Sequence, residues 1–230
     1  MSVFTSGIMK PRLTYFDMPG RAEAIRLAFV IRGKPFEDER VQFKDWSGKK
    51  SSCVVPSMPY FTFEGNDIPI HGHRTILRLV GKDLGLYPDN NAISSARCDA
   101  IMDICDDWLG TINNAGRGLD QEEKNAARLK EVTDPASKSS HLFRAVEEYI
   151  GHNQPYVFGN TITVADLCIF AIAGSVESGL YDGVPSTTFD SYSKIQALRR
   201  AVANVPEIIT YYDNKVRNKS NARYIDARSF

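Results

Sequence analysis

The sequence, 230 residues long, predicts a small α/β unit followed by an all-α helical domain, and three observations carry that expectation. Strand-like stretches alternate with amphipathic helical patterns over the first third of the chain. A polar stretch, "YPDNN" at Tyr87 to Asn91, then breaks the alternation. Beyond it the helical patterns are long and no stretch reads as a strand. The domains expected are 10–88 and 92–218.

"PRLTYFD" (Pro11 to Asp17) reads as the first strand. Pro19-Gly20 interrupts it and opens "RAEAIRLAFVIRG", where Ala22, Ile25, Leu27, Ala28 and Phe29 suit one buried helix stripe ending at Gly33. "PFEDERV" follows as a weaker strand, then a polar stretch around Trp46. "PYFTFEG" (Pro59 to Gly65) is a bulky aromatic strand closed by a Gly65-Asn66 turn signal. Pro69 within "IPI" lacks the N–H that a central strand needs, so this short strand belongs at a sheet edge. "RTILRLVGKDLG" returns to helical spacing through Ile76, Leu79, Val80 and Leu84, and the order is β-α-β-α-β-β-α.

In the second part, Ala92 to Asn113 is the plainest helix. Ile101, Ile104, Cys105, Trp108 and Ile112 fall on one face, while Asp99, Asp103, Asp106 and Asp107 lie nearly opposite. Gln121 to Val132 and Ala136 to Tyr149 are further helices, divided by Asp134-Pro135 because proline disfavours helix at the residue before it. Thr163 and Asp166 have capping-box spacing, flanked by Ile162 and Leu167 as a hydrophobic staple. Tyr192 to Val202 and Pro206 to Val216 complete the set.

The composition is that of an ordinary globular protein, 43% hydrophobic and 24% charged. Twenty-eight basic residues balance 28 acidic ones, so net charge offers no argument for nucleic acid or an anionic membrane as partner. No run of roughly 18 apolar residues suggests a membrane helix, and the first residues lack a signal-peptide pattern, so a cytoplasmic location is expected. Cys53, Cys98, Cys105 and Cys168 are scattered without zinc or disulfide spacing and read as free, buried thiols. Two histidines, His71 and His73, stand on either side of Gly72. As a metal site the pair lacks a third ligand, because His141 and His152 lie far along the chain, and no metal is expected.

The stretches "LTYFDMPGRAEAIRL", "DW" plus Lys50, "SMPYFTFEG", "DAIMDICDDW" and "NTITVADL", in this order and spacing, resemble the cytosolic glutathione transferases, and most nearly their sigma class, the haematopoietic prostaglandin D synthase branch. The resemblance implies a thioredoxin-like first domain that binds glutathione as co-substrate and a helical second domain that forms a hydrophobic pocket. It implies that Tyr15 is the catalytic hydroxyl, with Arg21 beside it. Trp46 and Lys50, both pure donors, would take the glycine end of the tripeptide. The Met58-Pro59 bond would be cis, the Met58 backbone pairing with the cysteinyl part of glutathione. Asp107 would reach across a homodimer interface to the partner's glutathione, and Asp103 with Asp106 could gather a divalent ion there. Each residue also has a plainer role open to it: a packed strand tyrosine, a surface arginine, a trans proline, an exposed lysine beside a half-buried tryptophan, a solvated acidic face.

Two departures stand out. The family places Gln-Ser before the helix that follows the fourth strand, where the hydroxyl and helix amides receive the γ-glutamyl carboxylate. Gly72 and His73 stand there in this chain, with Thr75 the nearest hydroxyl. The prostaglandin synthase branch has a tryptophan where this chain has Asn114, so prostaglandin isomerisation is not implied. The leading expectation is a glutathione transferase acting on a small hydrophobic electrophile. A protein of this fold that has lost catalysis, and a glutathione-dependent isomerase or peroxidase, are the alternatives. Thiol-disulfide exchange is disfavoured, because no cysteine ends the first strand.

Overall fold

The computed structural model describes residues 11–51, 53–64, 66–152 and 154–213, without the side chains of residues 66 and 67. The expected Gly65 turn, the helix beyond Asp213 and the end of the second domain at 218 therefore lie wholly or partly outside the described residues.

Strands β1 (Arg12–Phe16), β2 (Glu37–Val41), β3 (Tyr60–Phe63) and β4 (Asn66–His71) form one sheet in the order β2-β1-β3-β4. The β1–β2 pair is parallel, because α1 (Glu23–Ile31) carries the chain back across the sheet between them; the other two pairs are antiparallel. The Pro69 strand is at the edge, as its missing donor requires. The polar stretch around Trp46 is a helix, α2 (Phe43–Lys50), and α3 (His73–Asp83) follows β4. Leu13, Phe61, Phe29, Ile76 and Val80 are fully buried and belong to one apolar core.

Helices α4 (Ala92–Asn114), α5 (Gln121–Thr133), α6 (Lys138–Tyr149), α7 (Val164–Glu177), α8 (Ser193–Ala203) and α9 (Pro206–Asp213) make up the rest. At the starts of three of them the N-cap side chain accepts: Asn91 from the Ile93 and Ser94 amides, Asp120 from Glu123 and Ser137 from Ser140; α7 begins with a capping box. The start of α6, expected at Ala136, falls at Lys138, because the Asp134 carboxylate takes the Ala136 N–H in a turn and Ser137 becomes the cap. Every residue of α7 is buried. Its capping-box carboxylate, Asp166, accepts from the Thr163 N–H at 2.7 Å, the Thr163 hydroxyl at 2.8 Å and the Val157 N–H at 2.8 Å, yet burial still raises its pKa to about 6.

The two parts meet closely. A side chain at Gly81 of α3 would come within 2.6 Å of the Val164 side chain that opens α7, and the Val164 N–H donates to the Leu86 carbonyl at 2.9 Å. Cys98, Cys105 and Cys168 are buried free thiols, while Cys53 is half-buried. No helix among the described residues is long and apolar enough to cross a membrane.

Candidate active site

Tyr15 is the fourth residue of β1 and is only 6% exposed. Its hydroxyl lies against the turn after β1, where Gly20 adopts φ +47° and a Cβ would stand 2.9 Å from Oη. Glycine serves here twice, for the left-handed backbone and for the space. Burial raises the pKa of Tyr15; the Arg21 backbone N–H hydrogen-bonded to it, and the charges of Arg21 and Arg26, pull the other way without reversing the shift. At neutral pH the group is therefore an intact O–H, a donor, whose oxygen is already polarised by an amide.

The Arg21 guanidinium turns toward α4. Its Nε donates to Asp106 Oδ1 at 2.9 Å. Asp106 also lies 3.8 Å from Arg74 Nη2 and 3.5 Å from His73 Nε2. Arg74 pairs with Asp103, and Arg78 with Asp99 at 2.8 Å. The acidic face of α4 is thus met by a basic face of α3, and Asp103 and Asp106 are neutralised within the chain. Among the described residues, no group of three or more His, Cys, Asp or Glu side chains suits a metal ion. Asp107 is apart from this cluster: its carboxylate is 58% exposed and lies 3.3 Å from Lys138 Nζ.

Gly72 caps α3 with φ +89°, a conformation that β-branched or bulky residues rarely adopt, and donates its N–H to the Pro59 carbonyl at 3.3 Å. His73 is the first residue of α3. Burial, assisted by Arg21 and Arg74 and opposed by Asp106, lowers its pKa to about 4. Of the two states open to it from sequence, the imidazolium is therefore disfavoured, and a neutral ring with Nε2 lacking a hydrogen-bond partner stands at the helix start. His71 ends β4 with its ring 5.6 Å from that of Tyr60 and both nitrogens unpartnered. The Met58-Pro59 bond is cis. Trp46 is half-buried, edge-on to Phe16 at 6.1 Å, and Lys50 is exposed at the end of α2.

The fold therefore gathers Tyr15, Arg21, His73 and Asp106 at one place, sets Pro59 against Gly72, and connects Trp46 to Tyr15 through Phe16, whose ring is 5.5 Å from that of Tyr15. Three contributors escaped the sequence. Asp106, read there only as a possible ion ligand, is the carboxylate that faces the site. Arg26, completely buried, sits under the Tyr15 ring at 5.9 Å. Tyr181, in the turn after α7, is buried with its ring 5.5 Å from the Arg128 guanidinium; burial raises the pKa of its hydroxyl, and the charge of Arg21 opposes the shift. Only Arg26, which with Glu23 interrupts an apolar α1 at i, i+3 spacing, offered a signal.

Residues 106–215 match the glutathione S-transferase C-terminal domain model. The chain is 30% identical to glutathione S-transferase 1 of Ascaris suum over 175 residues, 74% of this chain and 82% of that protein. It belongs to the glutathione S-transferase family. S-crystallin 4 of Enteroctopus dofleini is 27% identical, over 90% of this chain and 97% of the crystallin. Rat hPGDS, solved in complex with a quinoline, shares the fold with a TM-score of 0.77 at 24% identity, covering 91% of this chain and 99% of the other. The four-stranded unit and the helical unit are thus the thioredoxin-like and all-α parts of the glutathione transferase fold, in a family whose co-substrate is glutathione.

Proposed function

We propose that the protein is a cytoplasmic, homodimeric glutathione transferase in which the Tyr15 hydroxyl donates to the glutathione sulfur and stabilises the thiolate for attack on a small, apolar electrophile. The observation that carries this reading is the buried Tyr15 hydroxyl set against the Gly20 turn that follows β1. A free thiol with a pKa near about 8.5 is only a few per cent ionised at neutral pH, so a donor aimed at the anion raises the reactive fraction. The thiol proton leaves to solvent; Tyr15 keeps its own.

Residues 10–88 would bind glutathione and 92–218 would form the electrophile pocket. Trp46 and Lys50 would hold the glycine carboxylate, and the Met58 backbone, ahead of cis Pro59, the cysteinyl unit. At the start of α3 the free amides that follow Gly72 and a neutral His73 would receive the γ-glutamyl carboxylate, His73 as an N–H donor rather than a cation. Asp107, exposed and outside the Tyr15 cluster, would serve the partner's site.

Conjugation of glutathione to chlorodinitrobenzene tests the reading. Activity above background, lost by about tenfold or more in Tyr15→Phe, is expected. Absence of calorimetric heat on titration with millimolar glutathione would instead place the chain with family members that serve as binding or structural proteins.

A further inference from the structure

The Tyr15 hydroxyl lies against the turn after β1, and that turn is itself held by a buried arginine. Arg26, buried on α1, donates through Nη1 to the Met18 carbonyl at 2.9 Å and the Pro19 carbonyl at 3.1 Å, the two residues ahead of Gly20. The same nitrogen meets Glu23 Oε2 at 3.0 Å, while Nε meets Asp38 Oδ1 at 2.9 Å. The other Glu23 oxygen accepts from the hydroxyl of Tyr212, 2.9 Å away and buried, on α9, 189 residues along the chain. One continuous line of hydrogen bonds thus runs from α9 to the turn that meets Tyr15.

Resting on the transferase reading above, we propose that Tyr212 is a positioning residue: through Glu23 and Arg26 it fixes the Met18–Arg21 turn against the Tyr15 hydroxyl, so that docking of α9 completes the thiolate site. Tyr212 acts here through its hydrogen bond to Glu23. Its ring packs near Phe170 at 6.4 Å and Tyr211 at 5.0 Å, so Tyr212→Phe removes the hydroxyl while keeping the packing.

The first readout needs no ligand: hydrogen exchange of the Arg21 amide, the one bonded to Tyr15 Oη. Tyr212→Phe speeds it by roughly three- to tenfold, as expected for a loosened local contact, whereas Phe170→Leu, which trims a ring near Tyr212 but leaves the hydroxyl bond to Glu23 and the docking of α9 in place, does not. The second readout is the pH profile of conjugation. Its acid limb moves upward in Tyr212→Phe with the electrophile KM unchanged. Exchange that is unchanged in Tyr212→Phe, or raised equally by Phe170→Leu, overturns the proposal. Wild-type protein that conjugates nothing overturns the transferase reading instead, and leaves the exchange result to decide the role of Tyr212.

Discussion

At the scale of single residues, the site is set by atoms that leave no room for substitution. Gly20 is the sharpest case, because a methyl group there meets the Tyr15 hydroxyl at 2.9 Å in a backbone that already has φ +47°. Gly20→Ala should therefore cost about 1–2 kcal/mol of stability and depress conjugation by more than the stability loss alone explains, as urea unfolding and initial rates on the same preparation will show. His73 gives a pH signature. Its folded pKa of about 4 lies below the usual 6.5, so between those values the unfolded chain takes up a proton that the folded chain refuses. Stability contributed by the neutral ring is complete above 6.5 and is lost as pH falls through the window, by about 2 kcal/mol at about pH 5. His73→Gln should flatten the fall in melting temperature between about pH 7 and about pH 5; an equal fall in both proteins counts against it. The motifs that carried the resemblance locate Tyr15 within β1, Trp46 within α2 and Pro59 just ahead of β3. His73 was legible only as a position, since its charge state follows from burial, and burial is a property of the assembled fold.

Among the elements, most boundaries followed from local chemistry: proline placed β4 at the edge, and Asn91, Asp120 and the Thr163–Asp166 box began their helices where side-chain acceptors meet free amides. What local chemistry could not reveal is which polar groups cross between elements. Glu177, at the end of α7, is the example: its carboxylate takes the Phe189 N–H at 2.8 Å and the Arg199 guanidinium of α8 at 2.7 Å, all of it buried. Glu177 and Arg199 are 22 residues apart, with no local spacing that pairs them. Burial raises the pKa of Glu177 in spite of Arg199, so the pair is kept by its geometry and not by surplus attraction. Removing one partner strands the other, and Glu177→Ala should destabilise by about 3–5 kcal/mol in chemical unfolding. Trp108 is the converse. Its indole nitrogen is buried without a hydrogen-bond partner, so its role is packing against Phe143 and Phe189, with ring centres 4.7 and 5.7 Å away. Trp108→Phe should cost no more than about 2 kcal/mol, less than Glu177→Ala despite the larger buried area of Trp108.

For the whole molecule, the seam between the two parts is where the candidate site lies. Tyr15 and His73 come from the sheet unit, Asp106 from the helical one, and Arg21 with Arg74 ties them together. The order of strands and helices, and the change of character near residue 90, could be read from periodicity alone. The seam could not, because an acidic face on α4 looks the same whether it meets water, an ion, a partner chain or the arginines of α3. The central claim, that Tyr15 stabilises the glutathione thiolate, is tested most directly by ultraviolet absorbance of bound glutathione as a function of pH in wild type and Tyr15→Phe. The expected result is a thiol that ionises at least about one unit below its value near 8.5 in the wild type and returns toward that value in the variant; a bound thiol that titrates identically in the two proteins would contradict it.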